Sequence, residues 1–172
     1  DHPEFTPNLS PKEIFELGSF IDQGGYFRPI YSGVLGKELS NQHKEFSFLK
    51  KIPEHLLINP NRKYKELNNY GVKCGSSLED WESKSWIHEQ DPYGWVQWYC
   101  RFYGGRRTDD DERQIKRWLN LAGPNGRFKK TLINKLKREN KSFDDRSVSP
   151  VIPQTLQHWG IKLTKKDLEN QT

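Results

Sequence analysis

The apolar positions of this chain fall into short clusters at helical spacing, separated by Gly and Pro. The clearest is Trp95, Trp98, Tyr99, Phe102 and Tyr103, at i, i+3, i+4, i+7 and i+8, the stripe that a helix buries along one face. Asp91-Pro92 ahead of it reads as an N-cap with Pro at the first helical position, and Gly104-Gly105 behind it as a stop. A second stripe, Ile115, Trp118, Leu119 and Ala122, follows Thr108 as its expected cap and ends at Gly123-Pro124. A third runs from Arg127 to Arg138 through Phe128, Leu132, Ile133 and Leu136, and another helix follows Ser149-Pro150 and ends at His158-Trp159-Gly160.

The N-terminal part is less regular. Ser10-Pro11-Lys12-Glu13 combines an N-cap, a Pro and a capping-box Glu ahead of Ile14-Phe15, with Gly18 as the stop. The run Gly24 to Gly33 is too rich in Gly and Pro for a helix and reads as a turn leading into a short, aromatic, extended segment. Residues 37–75 are polar and broken by Pro53, Pro60, Gly71 and Gly75, with short helices expected near 53–58 and 61–69. Ser76 with Glu79, and Ser77 with Asp80, offer overlapping capping boxes for a short helix ending near Trp86. Residues 165–172 read as a frayed polar tail. The pattern predicts a mainly α fold: one compact helical domain over 1–172, with an ordered core over 11–160 and an irregular or short β N-terminal part.

Composition narrows the class. Only 33% of residues are hydrophobic, but 13% are aromatic, including six Trp, whereas disordered chains are poor in aromatics. No apolar run approaches the roughly 18 residues of a membrane span, so no membrane partner is expected. Two Cys, at 74 and 100, complete neither a disulfide framework nor a four-ligand zinc site. A Cys74–Cys100 bridge stays open, and an intracellular compartment, nuclear or cytoplasmic, is the default for such a chain. Met is absent, which points to a trimmed or processed product, and Asp1-His2-Pro3-Glu4-Phe5 has no signal-peptide character.

Charge changes the picture more. Residues 101–141 hold thirteen basic side chains against five acidic ones, a net of +8, which leaves −3 for the rest of a chain whose formal charge is +5. Segregated Lys and Arg on consecutive helices suit a polyanion, because each neutralised phosphate releases condensed counterions. The expected phosphate contacts are Arg101, Arg106, Arg107, Arg113, Lys116, Arg117, Arg127, Lys129 and Lys130. Arg106-Arg107 sits in a Gly-rich turn where the backbone also approaches an anion. The competing reading is a solvated face laced with salt bridges.

Eight aromatics lie within residues 81–103, and aromatics beside basic groups stack unpaired bases at roughly 1–3 kcal/mol each. Most follow core spacing, so the stacking candidates are those off the stripe: Tyr26, Trp86 and Tyr93. For acid–base chemistry the candidates are His88, Asp91, Asp110 and Asp111. The run Asp109-Asp110-Asp111-Glu112 invites a metal reading, but consecutive helical residues diverge, and dipole complementation with nearby arginines explains it. Cys100, in the stripe, reads as a small buried hydrophobe. No HExxH, Walker A, EF-hand or GxSxG motif is present, and no metal or cofactor is expected.

Several strings carry a resemblance: Pro11-Lys12-Glu13-Ile14-Phe15-Glu16-Leu17-Gly18, Gly24-Gly25-Tyr26-Phe27, the run from Asp91 to Arg107, Arg113-Gln114-Ile115-Lys116-Arg117-Trp118, and Gln154-Thr155-Leu156-Gln157-His158-Trp159. Together they resemble a family of uncharacterised proteins of microbes and lower eukaryotes. The resemblance implies that residues 11–160 belong to one unit, and no activity transfers from it. The expected function is a nucleic-acid-binding domain, for DNA or RNA. The alternatives are a small enzyme acting on a nucleotide, a nucleic-acid base or another phosphorylated substrate held by Arg106 and Arg107, and an interaction domain for an acidic protein.

Overall fold

The N-terminal helix signal closes as its chemistry demands. Ser10 Oγ accepts from Glu13 N at 3.2 Å while Glu13 Oε1 accepts from Ser10 N at 2.9 Å, so both arms of the capping box open α1 (Pro11–Glu16). The computed structural model describes residues 2–21, 24–59, 70 and 77–170. After α1 come the strands β1 (Ile30–Ser32) and β2 (Lys37–Leu39), an antiparallel hairpin with Ile30 opposite Leu39. Three single 3-10 turns follow, at Gln42–Glu45, Ser47–Leu49 and Glu54–Leu56. The third lies within the helix expected near 53–58. The one expected near 61–69 falls outside the described residues, as do Ser76 and Cys74.

Then come α2 (Leu78–Ser83), α3 (Trp95–Tyr103), α4 (Asp111–Leu121), α5 (Arg127–Arg138), α6 (Val151–His158) and α7 (Lys165–Asn170), which makes the fold mainly α. Ser77 Oγ accepts from Asp80 N at 3.1 Å and caps α2. Gly105, at φ +106°, takes the left-handed conformation that ends α3. Among the described residues, no helix is long and apolar enough to cross a membrane.

The apolar stripes meet as their periodicity requires. Trp98, Trp118, Ile133 and Leu136 are fully buried, α1 packs on α3, and α5 packs on α4, α6 and α7. Phe5 sits edge-on to Trp95, Trp98, Tyr99, Phe102 and Trp118, which ties the N-terminus to α3 and α4. Tyr103, expected on the stripe, is exposed. Eight residues on, at about 100° each, it lies some 80° round the helix from Trp95.

Within the segment expected as a polar tail, residues 165–170 instead form α7. Thr164 Oγ1 accepts from Asp167 N at 3.1 Å, and Asp167 Oδ2 accepts from Thr164 N at 2.9 Å. Asp167 also pairs with the buried Lys129 at 3.1 Å. Burial alone would raise the Asp167 carboxyl, but the Thr164 bond and Lys129 outweigh it and hold it below the usual range. Leu168 packs against the core beneath.

Candidate functional site

The N-terminus of α3 is built differently from the sequence expectation. Gly94, not Asp91, is the N-cap, at φ +106°, and a Cβ there would stand 3.1 Å from Ile87 Cδ1. A helix start leaves N–H groups without intrahelical partners, and two side chains take them up. Gln97 Oε1 reaches back to Tyr93 N at 2.9 Å, and Tyr26 Oη, from a distant turn, accepts from Gln97 N at 3.0 Å. Tyr26 Oη also donates to Tyr93 O at 2.8 Å.

This corrects two stacking candidates. Tyr26 and Tyr93 are 3% and 2% exposed, so neither offers a surface platform. The Tyr93 hydroxyl donates to Arg28 O at 2.6 Å, and burial pushes its pKa up to about 12. Burial also raises the Tyr26 hydroxyl well above its ordinary range. Trp86, at 38% exposure, is the candidate that does lie on the surface.

Released from capping, Asp91 is fully buried and serves as an anion for two arginines. Its Oδ1 accepts from Arg101 Nη1 at 2.9 Å, and its Oδ2 accepts from Arg106 Nη2 at 2.6 Å and from Gln90 Nε2 at 3.1 Å. Arg101 also pairs with Glu45 at 2.7 Å and donates to Gln90 O. Burial disfavours the Arg101 charge, but Glu45 and Asp91 more than offset it and raise its pKa. Three segments distant in sequence are thereby clamped together: the 3-10 turn at Glu45, the loop before α3 and the turn after it.

The other carboxylate candidates are committed in the same way. Asp111 is buried, accepts from Trp98 Nε1 at 2.8 Å, and closes a capping-box arm to Thr108 N at 2.9 Å. Asp110 takes both Arg113 Nε, at 2.6 Å, and Arg113 Nη2, at 3.0 Å. Asp91, Asp110 and Asp111, the expected acid–base candidates, are thus each engaged by other groups of the chain. His88 is exposed, and its Nδ1 accepts from Gln90 N at 3.1 Å. Cys100 is a free, fully buried thiol whose pKa burial raises well above its ordinary value. Among the described residues, no group of three or more His, Cys, Asp or Glu side chains is placed to hold a metal.

The nine basic candidates divide. Arg101, Arg106, Arg113 and Lys129 are ion-paired. The Arg107 guanidinium stands over Phe102, 3.7 Å from the ring centre. Lys116, Arg117, Arg127 and Lys130 carry no ion pair among the described residues. Of these, Arg117 is partly buried: burial first, and then neighbouring Arg113, lowers its pKa to about 10. Its Nη1 donates to Gln114 Oε1 at 2.8 Å and to Trp86 O at 3.2 Å. Its guanidinium stands over the rings of Trp86 and Trp159, at 5.6 and 5.3 Å from their centres.

Arg117 and Arg127, from consecutive helices, meet at a cavity of about 280 Å³ whose wall includes Trp81, Trp86, Trp95 and Trp159. No carboxylate lines it among the described residues. Tyr26 contributes to this wall, and so does His158. His158 Nε2 lies 2.7 Å from Ser19 O and 3.0 Å from Gln154 Nε2. Burial pulls the His158 pKa down to about 4, so the ring is neutral near pH 7. The cavity escaped the sequence pattern because its tryptophans come from three helices or their flanks and from one loop, at no shared period. The available signal was that Trp86 and Trp159 sit outside every regular stripe. Comparison with protein-family models, curated proteins and solved structures yields no match for the chain.

Proposed function

We propose that this protein binds nucleic acid, with the strand lying on the basic face of α4 and α5 beside the tryptophan-lined cavity. The observation that carries this reading is the meeting of Arg117 and Arg127 at an aromatic cavity where, among the described residues, neither is ion-paired and no carboxylate lines the wall. Lys130 follows Arg127 by one turn on α5, and Lys116 is exposed on α4, so both extend the positive surface. Phosphates supply the counter-charge that these groups lack. Exposed Trp86 provides a face for an unpaired base. Engagement of Asp91, Asp110 and Asp111 in ion pairs or buried hydrogen bonds favours binding over acid–base catalysis.

The test is charge reversal at the unpaired positions. Lys116→Glu, Arg127→Glu and Lys130→Glu together should weaken binding of a labelled single-stranded oligonucleotide at least tenfold at low salt and flatten its salt dependence. Reversal at Arg106 is a poor test, because it would break the Asp91 clamp. Unchanged affinity in a folded triple variant sinks the proposal.

A further inference from the structure

The cavity beside Arg117 has a chemistry that narrows its occupant. Its four tryptophans resemble the aromatic cages that hold quaternary ammonium groups. Arg117 and Arg127, however, place two positive charges in the wall, without a lining carboxylate among the described residues to offset them. A cation is therefore excluded on charge. The occupant must be neutral or anionic, and planar enough to lie against indole faces. At about 280 Å³ the space falls at the bottom of the range for drug-sized ligands, which suits one small ring system.

Arg117 adds a directional demand. Its Nη1 is taken by Gln114 Oε1 and Trp86 O, while Nε and Nη2 have no partner among the described residues. Adjacent Nε–H and Nη2–H groups form a two-donor fork, the geometry that pairs with two neighbouring acceptors. Among the bases, guanine presents such a pair in O6 and N7, and adenine places a donor where guanine has O6. The carbonyl of Trp86 also receives Arg113 Nη1 at 3.3 Å, so α4 holds the Trp86 loop at two points.

We propose that this cavity takes a single unstacked guanine from a nucleic-acid strand, its ring against the tryptophans and its O6/N7 edge on the Nε/Nη2 fork of Arg117. The inference rests on the nucleic-acid-binding reading and adds which base enters and which side chain reads it.

The experiment titrates the intact protein with labelled single strands: a thymine 12-mer, the same strand with one central guanine, and strands carrying 7-deazaguanine or adenine there. The single guanine should tighten binding by about tenfold or more, and loss of N7 or O6 should remove most of that gain. Arg117→Lys, which keeps the charge but not the fork, and Trp86→Ala, which removes one ring of the wall, should each bring the guanine strand to the affinity of the thymine strand, whatever each does to binding overall. Thermal unfolding confirms that both variants are folded. Equal binding of all four strands, or a guanine preference that survives both substitutions, overturns the inference and leaves nucleic-acid binding standing. Guanosine monophosphate binding as tightly as the guanine strand overturns it too, by assigning the cavity to a free nucleotide. No binding of any strand at low salt removes the underlying reading as well.

Discussion

Tyr26 separates a buried structural hydroxyl from an exposed aromatic platform, and Tyr26→Phe tests the difference without opening a cavity. The substitution removes one oxygen that donates to Tyr93 O at 2.8 Å and accepts from Gln97 N at 3.0 Å. Both groups belong to buried residues, so each loses its partner without gaining water. An unsatisfied buried polar group costs about 1–3 kcal/mol, and with some relaxation the pair should cost about 2–4 kcal/mol. For a domain of this size that lowers Tm by roughly 5–15 °C. Tyr99→Phe is the internal control. Among the described residues its hydroxyl makes one bond, to Leu9 O at 2.7 Å, and about half the loss is expected. Urea unfolding followed by far-ultraviolet circular dichroism measures both. A Tyr26→Phe loss below about 0.5 kcal/mol, the range of ordinary surface changes, would refute the capping role and restore Tyr26 as a surface ring.

Two further outcomes follow from the buried charges. Asp91→Asn keeps the shape but removes the anion facing Arg101 and Arg106, and should cost about 3 kcal/mol in urea unfolding; a loss under 1 kcal/mol would mean that solvent already screens the clamp. His158 titrates near 4 when folded and near 6.5 when unfolded, so the unfolded chain binds the extra proton between those values. Stability contributed by the neutral ring is complete above about pH 6.5 and lost as pH falls towards 4, by up to about 3 kcal/mol. His158→Gln should flatten that part of the stability profile measured by denaturant unfolding, and an unchanged slope would contradict it.

What could be read from sequence was local. The Ser10 capping box, the bounds of α5 and the stripe through Trp95, Trp98, Tyr99 and Phe102 each depend on residues within one or two turns. The Thr164–Asp167 box is equally local, but the polar segment around it has no apolar stripe, and its anchor, Lys129, lies far away in the chain. Asp91 misled for the opposite reason. Its position before Pro92 is what a cap looks like, yet Arg101 and Arg106 take its carboxylate while Tyr26 takes the Gln97 N–H, and only the folded chain brings these groups together. The charge excess over 101–141 is a property of the sequence, but net charge does not distinguish an arginine paired with a carboxylate from one without such a pair. That distinction, together with the placing of Arg107 over Phe102, leaves Lys116, Arg117, Arg127 and Lys130 of the nine.

The most direct test of the central claim is the salt dependence of single-strand binding by the unaltered protein. With three or four phosphates neutralised by those side chains, log affinity should fall linearly with log salt at a slope of about −2 to −3. Undetectable binding at low salt, or an affinity that salt leaves unchanged, would contradict the account.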